Sequence, residues 1–140
     1  MSEIAIQNNV AQVISGFTEA PAVYSSFTAD DRSSKMRILQ AITNSTKLSS
    51  MIDQTLSLRH FVCQPAEITD PDTGEVKRVV RTILLTHDGK SYDTTSDSVV
   101  RSLQTIVGVM GAPSTWDEPI DVAVQELRSS NGRRFLTLSV

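Results

Sequence analysis

The chain has 140 residues, which suits one domain with a hydrophobic core and a short appended arm. Its hydrophobic content of 39% is ordinary for a folded protein, and its one cysteine excludes a scaffold held by internal disulfide bonds. The formal net charge is −3, from 13 basic and 16 acidic residues. Bulk positive charge therefore cannot hold a nucleic acid, and such binding would require a local basic patch.

Residues 1–30 are predicted to form an arm that packs on a neighbouring protomer or on its own domain. Ile4 and Ile6 alternate as in a short strand. The next apolar residues recur at helical spacing: Val10, Val13, Ile14 and Phe17. The N-terminus lacks the pattern of a signal peptide, and no segment approaches the roughly 20 apolar residues that span a bilayer. We therefore expect a cytoplasmic protein without membrane contacts.

Residues 31–140 are predicted to form one domain, with a helix at 31–44 and a barrel at 56–140. The predicted barrel elements are a strand from Leu56 through Val62 toward Thr69, strands at Glu75–Thr86 and Ser91–Thr95, a helix capped by Ser96 or Asp97 that runs to Met110, and strands at Ile120–Leu127 and Arg133–Val140. Turn sequences join the strand pairs at Asp70–Gly74, Asp88–Gly89 and Asn131–Gly132.

The order strand, strand, strand, helix, strand, strand is that of the OB-fold, a five-stranded Greek-key barrel whose helix plugs one end. The predicted fold class is therefore mainly β with helices (α+β), as an OB-fold-like five-stranded barrel with an N-terminal helical extension. An open α+β sheet and a small sandwich are compatible with the same order and stay open as alternatives.

Signatures of catalysis are missing from the sequence, which has no glycine-rich phosphate loop and no nucleophile elbow. His60 and Cys63 are three residues apart on a predicted strand, so they point to opposite faces and do not form a zinc site. Asp70, Asp72 and Gly74 resemble the start of a calcium loop, but the bidentate acid that should follow is absent. We expect neither enzymatic activity nor a metal or other cofactor.

Two predicted strands each expose an arginine two residues from an aromatic ring: Arg59 with Phe61, and Arg133 with Phe135. Such interleaving is typical of surfaces that bind single-stranded nucleic acid, because bases stack on the rings and cations meet the phosphates. A slip of one residue in this assignment would place both phenylalanines in the core instead. The predicted nucleic-acid-binding residues are Arg59, Phe61, Lys77, Arg78, Arg81, Tyr92, Arg128, Arg133, Arg134 and Phe135.

The loops that would border the binding face of an OB-fold are residues 70–75 and 128–134. The second loop contains three arginines and no acidic residue. Trp116 lies in a predicted loop and is expected to plug one end of the barrel. Because the net charge is negative, binding should depend on stacking and on few phosphate contacts, which predicts a shallow dependence on salt.

Several segments form a pattern that keeps its order along the chain: Gln64–Asp70, Thr73–Glu75, Val80–Leu85, Asp88–Tyr92, Ser102–Leu103, Gly111–Pro113 with Trp116, and Gly132–Leu138. These segments resemble single-stranded DNA-binding proteins of tailed phages that infect Gram-positive bacteria. The likeness covers residues 32–140 in order. It implies a replication protein that coats displaced single strands without strong sequence preference, and it adds no catalytic residue.

The expected partners are single-stranded DNA and replication proteins. The flexible acidic tail with which bacterial relatives recruit replication enzymes is absent, since the last residues fall in a predicted strand, so recruitment through such a tail is not expected. The N-terminal arm is the candidate for contacts between protomers in a homo-oligomer. The alternative hypothesis is a phage protein-interaction or assembly module on an OB-like barrel without nucleic-acid affinity.

Overall fold

The computed structural model describes residues 23–28 and 30–140, which form a mixed α+β fold with a sheet curled into half a barrel. The helices are α1 (Arg32–Asn44) and α2 (Asp97–Met110), with 3-10 turns at Leu48–Met51 and Pro113–Thr115. The strands are β1 (Tyr24–Ser25), β2 (Thr46–Lys47), β3 (Thr55–Thr69), β4 (Val76–Thr86), β5 (Ser91–Thr94), β6 (Ile120–Arg128) and β7 (Arg134–Ser139). The predicted elements of residues 1–17 lie outside the described residues.

From β3 to β7 the predicted order of strands and helix is confirmed. The strand β3 runs without a break through Pro65, which pairs with Val80. Beyond Cys63, β3 pairs only with β4 among the described residues, and a proline is tolerated at such an edge because it has no N–H to donate to a further strand.

The β3–β4 hairpin is closed by the turn that the sequence predicts. The Asp70 side chain accepts hydrogen bonds from the backbone N–H of Asp72 at 2.8 Å and of Thr73 at 3.3 Å. Gly74 has φ of 71°, a left-handed conformation that glycine adopts without steric cost. The hairpin is thereby fixed in a register that extends to its tip, where Thr69 pairs with Val76.

The sheet contains more strands than the five predicted. Its order is β2-β5-β4-β3-β6-β7, and β1 adds to β3 beside this path. The extra edge strand forms because the chain leaves α1 in an extended conformation, and Thr46 and Lys47 then pair in parallel with Tyr92 and Asp93. In the described part of the chain no pairing joins the two ends of this path, so closure into a barrel is not confirmed.

Helix α2 covers the outer edge of β7. The Ser96 hydroxyl donates to the carbonyl of Leu136 at 2.6 Å, and the Ser102 hydroxyl donates to the carbonyl of Leu138 at 3.3 Å. These side chains satisfy acceptors that an edge strand would otherwise leave open. The helix is thus attached along β7 from Leu136 to Leu138.

Hydrophobic residues pack on both sides of the sheet. The main core contains Leu48, Leu56, Leu58, Phe61, Leu84, Tyr92, Val99, Leu103, Ile106, Trp116, Val122, Val124 and Leu138. A second cluster beneath α1 contains Ala41, Val62, Ile83 and Leu85. Trp116 is buried in the main core, and its indole N–H donates to the carbonyl of Gly111 at 3.0 Å.

A bulge in β3 changes which side chains face the main core. Leu58 pairs with Thr86 and His60 pairs with Leu85, so the alternation shifts between these two positions. The prediction that Phe61 shares an exposed face with Arg59 is therefore wrong: Phe61 is 5% exposed and packs in the main core with Leu58. Val62 packs in the second cluster instead.

Candidate nucleic-acid interface

The hairpin tips and the start of α2 surround a groove of about 730 Å³, which we call the basic groove. Its walls come from the β3–β4 hairpin, the segment from the end of β5 into α2, and the β6–β7 hairpin. Its lining residues are Ile68, Lys77, Val79, Thr94, Thr95, Ser96, Asp97, Ser98, Arg101, Ser129, Arg133, Arg134, Phe135 and Leu136. Segments far apart in the chain therefore build one concave surface.

The β6–β7 turn supplies two arginines to the basic groove. The backbone N–H of Ser129 donates to the carbonyl of Arg133 at 2.8 Å, and that of Gly132 donates to the carbonyl of Ser129 at 2.9 Å. Gly132 has φ of 84°, and the Asn131 side chain accepts from the N–H of Arg133 at 3.1 Å. A turn closed by these bonds holds Arg133 and Arg134 at the rim of the groove.

Positive charge dominates the basic groove although the whole chain is acidic. Its described lining residues include four cationic side chains (Lys77, Arg101, Arg133 and Arg134) and one carboxylate, that of Asp97. Arg134 also forms an ion pair with Glu126, which is not one of the described lining residues. The distance between Nη1 of Arg134 and Oε1 of Glu126 is 3.6 Å. A concave surface with such an excess of cations attracts a polyanion.

Two arginines lie opposite each other where β6 ends and β7 begins. Arg128 and Arg134 are direct partners in the antiparallel ladder, and both are exposed. Like charges directly opposite each other destabilise a sheet, so this pair costs stability in the free protein. A bound phosphate would relieve that cost.

The basic groove also has an apolar part. Phe135 is half-buried and lines the groove, since Leu138 on the same strand faces the main core. Ile68 is 44% exposed at the opposite wall. Phe135 is the one aromatic ring among the described lining residues, and its half-exposed position suits stacking against a base.

The structure brings together four of the ten residues predicted to bind nucleic acid: Lys77, Arg133, Arg134 and Phe135. Arg128 flanks them as the ladder partner of Arg134. Arg78 is exposed but neighbours Lys77 on β4, so the two side chains point to opposite faces of the strand. The other four residues lie elsewhere.

Arg59, Phe61 and Tyr92 are positioned to hold the fold. Arg59 donates from Nη1 to the carbonyl of Pro113 at 2.7 Å, which ties β3 to the second 3-10 turn. Tyr92 is 8% exposed in the main core. The Phe61 ring packs against that of Tyr24, with 5.7 Å between centroids. These side chains do not present a free ring or cation to solvent.

Arg81 is engaged by a cluster of acceptors. Its Nε and Nη2 both donate to Oδ2 of Asp93, at 2.9 and 2.7 Å. Its remaining bonds reach the carbonyl of Ile42 at 3.1 Å, Oε1 of Gln64 at 2.9 Å and the hydroxyl of Ser45 at 2.8 Å. The guanidinium joins β4, β5 and the end of α1, and its donors are used within the protein.

His60 and Cys63 lie in partly buried surroundings that favour their neutral forms. Burial, with smaller contributions from the charges of Arg59 and Arg37, lowers the pKa of His60 to about 4, and its ring stacks on Phe27 at 3.9 Å. Burial raises the pKa of the Cys63 thiol. Among the residues that the structure describes, no three His, Cys, Asp or Glu side chains group to hold a metal ion.

Sequence reasoning missed Arg101, which enters the basic groove from α2. The prediction of binding residues considered strands, where aromatic and cationic side chains alternate, and did not consider the helix that became α2. The available signal was the polar side of the α2 pattern: Arg101 follows Asp97 by four residues, which places both on one helical face at the end nearest the groove. Only the packing of α2 against β7 turns that face toward the β6–β7 turn.

A concave surface that combines an excess of cations with a half-exposed aromatic ring is typical of proteins that bind single-stranded nucleic acid. The profile of a Phi29-type family described as phage single-stranded DNA-binding protein matches residues 17–140. The chain belongs to this family, and single-stranded DNA is its partner. Neither the curated proteins nor the solved structures contain a significant match.

The family is one of non-catalytic DNA-binding proteins, which agrees with the expectation that the chain is not an enzyme. None of the helices in residues 23–28 and 30–140 is both long enough and apolar enough to cross a membrane.

Proposed function

We propose that the protein coats and protects single-stranded DNA during phage DNA replication, largely without regard to sequence, and that the strand crosses the basic groove. The excess of cations in this groove, on a chain of net charge −3, is the observation that carries the proposal. Lys77, Arg101, Arg133 and Arg134 pair with phosphates. Arg78 and Arg128 lie beyond the groove and contact flanking phosphates.

Stacking explains the lack of sequence preference. Every base has an aromatic face, so the Phe135 ring accepts any of them, at about 1–3 kcal/mol for each stacked base. The DNA backbone carries the same charge at every nucleotide, so contacts between the four cations and the phosphates do not depend on the base sequence. Oligonucleotides of dT, dA and dC should therefore bind with similar affinity, whereas duplex DNA, whose bases are already stacked, should bind more weakly.

The half-barrel supports this proposal through its strand order. The strands β5-β4-β3-β6-β7 lie in the order expected of an OB barrel opened between its third and fifth strands, and α2 contacts β7 at that edge. We infer that the fold is an OB-like barrel that stays open between β5 and β7, because β2 pairs with the outer edge of β5 and α2 covers the outer edge of β7. An experimental structure in which α2 leaves this edge would contradict the inference.

The decisive experiment is a fluorescence-anisotropy titration of labelled oligo-dT with the Arg133→Glu variant. Reversal of one groove charge removes a charged hydrogen bond and adds repulsion, so the dissociation constant should rise about tenfold or more at low salt. Arg32→Glu is the matched control, because Arg32 is exposed at the start of α1 and glutamate is favourable at a helix N-terminus.

Both variants change the net charge of the chain equally. Equal weakening by the two would show that only overall charge matters, and the basic groove would then not be the binding site. The proposed protective role has its own measurement: the wild type should slow nuclease digestion of single-stranded DNA, and Arg133→Glu should protect less at the same concentration.

A further inference from the structure

A second groove, of about 520 Å³, lies between α2 and the face of β3 and β4 that carries Phe61. We call it the apolar groove. Its walls include Tyr24, Phe61, Cys63, Val80, Leu103 and Val107. Among the lining residues that the structure describes, the Tyr24 phenol and the Cys63 thiol are the only ionisable groups, so this surface is unsuited to phosphates.

The apolar groove is open to solvent in the part of the chain that the structure describes. Tyr24 is 52% exposed and Val80 is 36% exposed at its rim. Exposed apolar surface of this kind is unfavourable in water and marks a place where another apolar segment binds. The occupant should be uncharged and should present a row of apolar side chains.

The chain itself contains such a segment. Residues 10–17 include no charged side chain, and their apolar residues recur at the helical spacing of one face: Val10, Val13, Ile14 and Phe17. The segment precedes β1, and Tyr24 of β1 is part of the groove wall. The described chain therefore begins at the edge of the apolar groove.

We propose that residues 10–17 dock in the apolar groove of their own chain. The six residues at 18–23 that link the segment to β1 have a root-mean-square span of about 13 Å as a flexible chain. A linker that short gives an effective concentration in the millimolar range, so even a weak apolar contact is occupied within one molecule. Docking of the same segment on a second copy would require a comparable protein concentration.

The one cysteine of the chain provides a probe, because Cys63 lines the apolar groove and is half-buried. The rate at which a maleimide reagent modifies Cys63 is measured in the full-length protein and in an Ile14→Asp/Phe17→Asp variant. If the groove is open in about a tenth of wild-type molecules, release of the segment should raise the rate about tenfold.

An Ile4→Asp/Ile6→Asp variant is the matched control, since it adds the same charges outside residues 10–17. Its rate should equal that of the wild type, and each rate should be independent of protein concentration. Equal rates in all three proteins, or the same acceleration in the control, would overturn the proposal.

Crosslinking distinguishes docking within one chain from docking between chains, even if the aspartate variants fold poorly. In an Ile14→Cys variant, mild oxidation should form a disulfide between residue 14 and Cys63 within one molecule, which runs as a monomer on a non-reducing gel and has lost both of its free thiols in a thiol assay. Disulfide-linked dimers as the main product, or no crosslink, would overturn the proposal.

Discussion

Phe61 and Phe135 each lie two residues from an arginine on a β-strand, yet their surroundings differ. Phe61 is buried in the main core beside Leu58 and Leu84, whereas Phe135 is half-buried in the basic groove. The bulge between Leu58 and His60 accounts for the difference, because β7 has no such irregularity in its pairing with β6. The two rings therefore test stability and binding separately.

Replacement of each ring by alanine should give opposite results. Phe135→Ala should weaken binding of oligo-dT by about 1–3 kcal/mol, because a stacking surface is lost. Phe61→Ala should lower the free energy of unfolding by about 3–5 kcal/mol, because it leaves a cavity in the core. Anisotropy titrations and urea denaturation measure the two effects.

Each variant is the control for the other. A Phe61→Ala protein that remains folded should bind oligo-dT with nearly wild-type affinity at low salt. Undiminished binding by Phe135→Ala would show that this ring does not stack on a base.

His60 gives the protein a stability that depends on pH. Burial lowers the pKa of His60 to about 4 in the folded state, below the ordinary value of 6.5. The unfolded state therefore binds a proton more readily, and the contribution of His60 is full above pH 6.5 and is lost as the pH falls toward 4. Urea unfolding of the wild type should show a falling free energy across that range.

The His60→Gln variant should show a weaker pH dependence between 6.5 and 4. His87 is exposed, so His87→Gln is the matched control and should keep the wild-type dependence. Identical pH profiles for all three proteins would mean that the His60 ring is no harder to protonate in the folded state.

At the scale of elements, α1 is attached to the sheet through Arg81. The helix contributes few buried residues, with Ala41 the one fully buried among them. Its carboxyl end is held by the hydrogen bonds from Arg81 to the carbonyl of Ile42 and to Ser45, while Asp93 balances the charge. The same guanidinium thus orders the segment from which β2 leaves to pair with β5.

Arg81→Ala should lower the free energy of unfolding by about 3–5 kcal/mol, because it leaves the Asp93 carboxylate buried with only Lys47, 3.7 Å away, as a cation. The nearby Arg78→Ala is the control for stability and should change it by less than about 0.5 kcal/mol, since Arg78 is exposed. Urea denaturation compares the two. A small effect of Arg81→Ala would show that water replaces the lost donors.

The whole molecule combines an acidic chain with one basic surface. The chain carries a net charge of −3, whereas the basic groove has four cations and one carboxylate. Long-range attraction to DNA is therefore weak, and the cations act at short range once the strand lies in the groove. Affinity should depend on salt only through these few contacts.

Four phosphate contacts in the basic groove and two flanking contacts from Arg78 and Arg128, at roughly 0.7 each for a single strand, predict a slope of about −4 in a plot of log association constant against log salt. Anisotropy titrations at several salt concentrations measure this slope, and Arg133→Ala should reduce its magnitude by about 0.7. A slope far steeper than −4 would require cations other than these six to contact DNA.

The sequence by itself determined the elements from β3 to β7 and their order. Hairpin turns at Asp70–Gly74, Asp88–Gly89 and Asn131–Gly132 are local, because the φ preferences of glycine and the side chains of Asp and Asn decide them. The alternation of Val122, Val124 and Leu138 likewise followed from the sequence, and these side chains are buried as expected. The arginines of the β6–β7 turn could also be predicted from the sequence, because they are adjacent in the chain.

Only the tertiary structure decided which of the predicted residues act together. The bulge that buries Phe61 depends on the pairing of β3 with β4. The hydrogen bonds that engage Arg81 depend on Asp93 and the end of α1. Arg101 joins the groove because α2 packs on β7. Each of these outcomes rests on contacts between segments distant in the chain, whereas residue spacing reports only on neighbours.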